Sequence, residues 1–138
     1  MAILVFENPQ IIINSVDLSN HVDTVSLEIS VADVETTAFG QVAKTRIGGL
    51  QDNKVSIELQ QDFAAGSVEA TIYPLIGLTT TIVLNEINAG TTTAGVTTNP
   101  TYTFVALVTD WKPLDGKVGD LQKASITWPI SGAITKTV

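Results

Sequence analysis

The chain has no cysteine in its 138 residues, one histidine, one methionine and only seven lysines and arginines together. Without cysteine there is no disulfide, no thiolate metal site and no cysteine nucleophile, and the redox compartment leaves no mark. A single histidine cannot build a histidine-based zinc site when thiolates are also missing. Basic residues this few and this scattered exclude tight sequence-independent DNA binding, which depends on Lys and Arg displacing counterions from phosphates. No apolar run is long enough to span a bilayer. The opening "MAILVFENPQ" has no basic start, and Glu7 interrupts its short apolar run, so a soluble product without an N-terminal secretion signal is expected.

What is present is acid. The formal net charge is −7, and Glu7, Asp17, Asp23, Glu28, Asp33 and Glu35 all precede Lys44, the first basic residue. A wall that repels phosphates lets nucleic acid pass without sticking. Only 15% of residues are charged while 44% are hydrophobic, a balance that leaves apolar surface to lie against other subunits. The length suits one domain, 1–138, of a size that buries close to ~70% of its extended-chain surface.

Periodicity points to a mainly β, antiparallel sandwich or barrel with one flanking α-helix and one short helix. In "VDTVSLEISV" (22–31), Val25, Leu27, Ile29 and Val31 alternate with Thr24, Ser26, Glu28 and Ser30; "KVSIELQ" (54–60) repeats the pattern. Further strands are expected in "TTTIVLNEI", "TYTFVALVTDW" and "LQKASITWPI", with a strand-like tail. Between the first two strands, "AFGQVAKTRIGGLQD" (38–52) places Phe39, Val42, Ala43, Ile47 and Leu50 at helical spacing, with Lys44 and Arg46 near the end and Gly48 and Gly49 as a stop. The glycines follow the apolar stripe, the reverse of a phosphate loop. A short helix is expected from Ser67, its N-cap, with Val68, Ile72 and Leu75 on one face and Pro74 limiting it. The Gly/Thr/Ala run 88–99 has little to bury and reads as a mobile loop. Thr-rich, Lys-poor terminal segments do little to blunt sheet edges, so sister subunits are expected to pair them.

Chemistry is sparse. His21 lies in the turn "LSNHVD", and composition permits a Ser-His-Asp arrangement, but no Gly-x-Ser-x-Gly elbow is present. The acids fall mostly on polar strand faces. "DGKVGD" (115–120) lacks the Asp-x-Asp-x-Asp-Gly spacing that wraps calcium, and Lys117 sits between its acids, so it reads as a glycine-bearing turn. Trp111 and Trp128 are expected in the core or a subunit interface. The expectation is a protein with no catalytic residues, no metal and no cofactor.

The stretch "DLSNHVDTVSLEISVADVETTAFGQVAKTRIGGLQDNKVSIELQQDF" resembles the tail tube (major tail) proteins of long-tailed, non-contractile bacteriophages: a strand, "TT-x-FG", a short helix with basic residues, "GL-x-D" and a return strand. "AAGSVEATIYPLIG" and "GKVGDLQKASITWPISGAITK" are similar to the same group, so the resemblance runs from Asp17 to Lys136. The chain departs from it in showing no long strand-hairpin insertion. The resemblance implies a β-sandwich virion subunit, assembled in the host cytoplasm into stacked hexameric rings around a tape-measure protein. Tail terminator and tip proteins would be its other partners, DNA would pass without tight binding, and no membrane would be involved. On that reading Ser26, Glu28, Ser30, Ser56, Glu58 and Gln60 face the lumen. The segment bearing Asn88, Gly90, Thr92, Gly95, Thr97 and Asn99 would make ring-to-ring contacts. A capsid decoration protein and a monomeric carbohydrate-binding or adhesin-like sandwich are the alternatives.

Overall fold

A computed structural model describes residues 9–86 and 99–138. Strands form where β-branched and apolar residues alternate with polar ones, because successive side chains then point to opposite faces. They are β1 (Gln10–Ile13), β2 (Val16–Asp17), β3 (Val22–Glu28), β4 (Val31–Glu35), β5 (Arg46–Gln51), β6 (Lys54–Gln60), β7 (Thr79–Asn85), β8 (Thr101–Leu107) and β9 (Lys123–Thr137). A helical segment, α1 (Val68–Ile72), continues into a 3-10 turn at Tyr73–Leu75, and a second 3-10 turn spans Ser19–His21. Seven strands make one antiparallel sheet in the order β2-β1-β7-β8-β9-β6-β3, while β4 and β5 pair only with each other. The architecture is mainly β, a curled antiparallel half-barrel with a flanking helical segment.

The curl comes from β9. Lys123 to Pro129 pair with β6, and Ile130 onward pairs with β8. The change of partner falls at Pro129, which has no N–H to give to a ladder, and Gly132, whose φ of 92° a side chain would disfavour. On β8, Thr103 and Val105 face Thr135 and Ser131, so β9 carries extra residues at the bend. One face of the bent sheet is dry: Ile11, Ile13, Val55, Ile57, Leu59, Ile82, Phe104, Ile126 and Trp128 are buried there with Val68 and Ile72 of α1. Each such side chain contributes about 1.5–3 kcal/mol. The Trp128 indole N–H donates to the Asp110 carbonyl at 2.9 Å, and that of Trp111 donates to Glu69 at 2.8 Å, tying α1 to the segment after β8.

The helix expected over 38–52 is absent, and a β-hairpin stands in its place. β4 and β5 form an arm closed by a hydrogen bond from Thr36 N–H to Thr45 O at 2.8 Å. At its tip Gln41 N–H reaches Ala38 O at 3.4 Å, with Gly40 at φ 85°. A positive φ at the third turn position is the type II pattern, which places Phe39 at the outer corner. The double glycine is no helix stop. A Cβ at Gly48 would lie 3.2 Å from Val31 Cγ1, and one at Gly49 3.0 Å from Val34 Cγ2, so these glycines let the arm's two strands pack closely across a bulge. The helical spacing of apolar residues arose without a helix because a strand and a turn can produce it over so short a run.

Asn53 anchors the arm to the sheet. It is 2% exposed; its side-chain oxygen accepts Ser30 N–H at 3.2 Å, its amide donates to Gln51, and its carbonyl accepts Ile130 N–H at the β9 bend. Asn53→Ala would leave the Ser30 donor without its partner beside a buried gap, at a cost of about 1–3 kcal/mol. Urea unfolding should show that loss, and hydrogen exchange at Ser30 should quicken while exchange in β6 under native conditions stays slow.

Candidate assembly interface

β3, β6 and β9 share one polar face, opposite the core. Across it Thr24, Glu58 and Ser125 lie in one row, Ser26, Ser56 and Thr127 in the next, and Glu28 beside Lys54 at the end. The Ser56 and Thr127 hydroxyls are 3.2 Å apart. Of the residues expected to share this surface, Ser26, Glu28, Ser56, Glu58 and Gln60 do. Ser30 lies past the end of β3, at the root of the arm.

Charge on this face is more balanced than its acids suggest. Lys123 Nζ lies 2.5 Å from Asp23 and 3.4 Å from Glu58, and Lys54 lies 3.9 Å from Glu28. Asp23 first, and Glu58 second, hold the Lys123 ammonium above its ordinary value. With Asp23, Glu28 and Glu58 set against Lys54 and Lys123, three acids meet two bases. The row is hydroxyl-rich and weakly anionic. Alternation foretold the face; the lysines arrive from β6 and β9, too far along the chain for local pattern to pair them.

A second surface is the arm, which local pattern had assigned to a helix. Every residue of β4 and β5 is exposed, and Phe39 and Val42 at the tip are fully so. A hairpin of two strands is marginally stable in water on its own. Val31, Val34, Ile47 and Leu50 along it are exposed, with Val34 and Ile47 paired across one face and Val31 on the other; exposed apolar side chains gathered on one element are a feature of interaction surfaces. The flanking "VETT" and "KTRI", rich in β-branched residues, and the Phe-Gly pair are the signals that could have revealed it. Of the segment expected to join rings, Asn88, Gly90, Thr92, Gly95 and Thr97 lie outside the described residues. Asn99 is 1% exposed, part of the subunit's interior rather than a free loop.

His21, Asp62 and Ser67 do come together, but not as a catalytic relay. His21 Nε2 lies 3.0 Å from Asp62 Oδ2 and 3.4 Å from Ser67 Oγ, while the Ser67 hydroxyl donates to the same Asp62 oxygen at 2.8 Å. A triad needs acid and nucleophile on different ring nitrogens. Here both meet Nε2, and Nδ1 is buried without a hydrogen-bond partner among the described residues. The cluster is a latch between the turn entering β3 and the start of α1. Ser67 thus occupies the N-cap position while its side chain serves Asp62. The "DGKVGD" segment is an exposed loop in which Asp120 N–H bonds Lys117 O at 3.1 Å.

The fold has a solved counterpart. Over 99% of this chain and 97% of the other, it is similar to a chain in the cryo-EM structure of the anti-feeding prophage (AFP) baseplate, 6-fold symmetrised, with a TM-score of 0.54 at 10% identity. That likeness is one of fold. No protein-family model and no curated protein matches the chain.

The Ala64 N–H first, then the Ser67 hydroxyl and His21, hold the Asp62 carboxyl below its ordinary value. A depressed carboxylate stabilises the fold above its unfolded pKa, and that contribution is lost as pH falls through the folded one. Asp62→Asn should therefore be less stable than the parent at neutral pH, with the gap closing as acid carries the pH down through and below the ordinary carboxylate range. Urea midpoints measured across that range check it; a gap that widens in acid contradicts it.

Proposed function

We propose that the chain is a structural subunit of a phage-type tail, closing into six-membered rings that stack into a tube through which DNA passes. The observation that carries this reading is an arm of exposed apolar side chains without a partner among the described residues, on a fold similar over 99% of its length to a chain of a 6-fold symmetrised prophage baseplate. The seven-residue edge of β3, unpaired among the described residues, supports it, because an edge strand's N–H and C=O groups are a ready template for pairing with another chain. On this reading the protein resides in the virion after assembly in the host cytoplasm. Its partners are other copies of itself, a tape-measure protein inside the tube, and terminator and tip proteins at its ends. Its work is mechanical and uses no catalytic group.

Within that tube the polar face of Ser26, Glu28, Ser56, Glu58 and Gln60 lines the bore. Screening reaches about 8 Å at physiological salt, so only charges beside the passing duplex act on it. A surface of hydroxyls with a slight negative excess gives a phosphate backbone little to hold. Residues 88–98 are the second contact we assign between rings, beside the arm.

Purified protein at raised concentration should show rings or hollow rods by negative-stain microscopy; isolated particles at every concentration would refute the assembly reading. Tubes built from a Glu28→Lys, Glu58→Lys variant should eject DNA more slowly than the parent. Equal rates would remove these residues from the bore. Deleting 88–98 should stop rod growth while melting behaviour is retained.

A further inference from the structure

Among the described residues the half-barrel does not close. Between the free edge of β3 and the strands β1 and β8 runs an apolar groove of about 290 Å³, lined by Ile11, Val25, Leu27, Ile29, Leu84 and Tyr102, with Glu86 at its rim. Ile29 is also the residue from which the arm departs, so groove and arm share a root. From Ser30 to Phe39 the arm extends roughly 30 Å, at about 3.3 Å per residue. Its tip therefore sits far from the groove of its own copy.

We infer that the Phe39 tip of one copy seats in the Ile29 groove of a second copy, joining subunits head to tail. This rests on the reading that the chain assembles with itself, and it names the contact. Phe39 is the large apolar side chain at the outer corner of the tip, and the groove is the open apolar recess that can remove it from water. Charge complements the fit: residues 36–45 carry Lys44 and no acid, whereas the groove carries Glu86 and no base. Because tip and groove are different surfaces, the contact is heterologous. Used in one direction from copy to copy, such a contact closes into a ring or continues as a filament.

The absence of cysteine makes the test direct. Ala38→Cys copies mixed with Ile29→Cys copies and mildly oxidised should give chiefly the mixed cross-linked dimer. Phe39→Asp and Ile29→Lys change exposed positions, so both should melt like the parent, yet each alone should self-associate roughly tenfold to hundredfold more weakly. Mixed together, they retain one intact tip and one intact groove, and should form a one-to-one pair that grows no further. Lys44→Glu should weaken assembly, and adding Glu86→Lys should restore it. Cross-links chiefly between two Ala38→Cys copies, or an Ile29→Lys variant that loses melting temperature but assembles normally, would overturn the inference; the second result would give the groove to the chain's own residues. Rings formed unchanged by Phe39→Asp would overturn it while leaving the ring reading intact. A parent chain that never self-associates would overturn both.

Discussion

The bend in β9 is the constraint on which the rest depends. Among the described strands it alone pairs with both halves of the sheet, β6 before Pro129 and β8 after it. A straight strand there would flatten the sheet and expose Trp128, whose indole now fills the concave side and bonds the Asp110 carbonyl. The same bend receives Asn53, through Ile130 N–H, and Asn53 in turn holds the root of the arm. Core, curl and arm are thus one mechanical unit. A disturbance at residues 129–132 would be felt at the arm's base, although no arm residue touches the core.

The half-barrel leaves two liabilities, an open seam and an unsupported arm. Each exposes apolar surface that the described residues leave uncovered. On the assembly proposed above, contacts between copies would remove both costs together where the two surfaces meet. The polar face of β3, β6 and β9 has the opposite character. Its hydroxyl rows and paired charges are fully satisfied in water and gain nothing from burial. A molecule with one self-sufficient wet face and several unsatisfied apolar ones is suited to an assembly that keeps the wet face toward solvent or a passing polymer.

The His21, Asp62 and Ser67 cluster shows how little residue identity says about catalysis. Three residue types that can perform acyl transfer lie within hydrogen-bond reach, yet serine and carboxylate compete for one ring nitrogen. Geometry makes them a fastening between two turns. The depressed Asp62 carboxyl follows from the N–H and hydroxyl donors that complete that fastening, as in many structural acids.

Local pattern marked 22–28, 54–60, 79–85 and 101–107 as strands, and alternation fixed which side of 22–28 and 54–60 is wet, because a period of two leaves a strand no choice of face. It also placed Trp128 in the core beside Ile126. The segment 38–52 could not be read in the same way. Phe39, Val42, Ile47 and Leu50 fit helical spacing as well as they fit a turn followed by a strand, and only cross-strand packing of Gly48 and Gly49 against Val31 and Val34 selects the hairpin. Likewise the acids at 28 and 58 were legible, but their lysine partners were not, since Lys123 comes from a distant strand brought alongside by the β9 ladder. Local sequence determines the period and polarity of each element. The tertiary structure alone decides which of the described elements are brought against a partner and which, like the arm and the seam, stay exposed, because that depends on pairings between residues far apart along the chain.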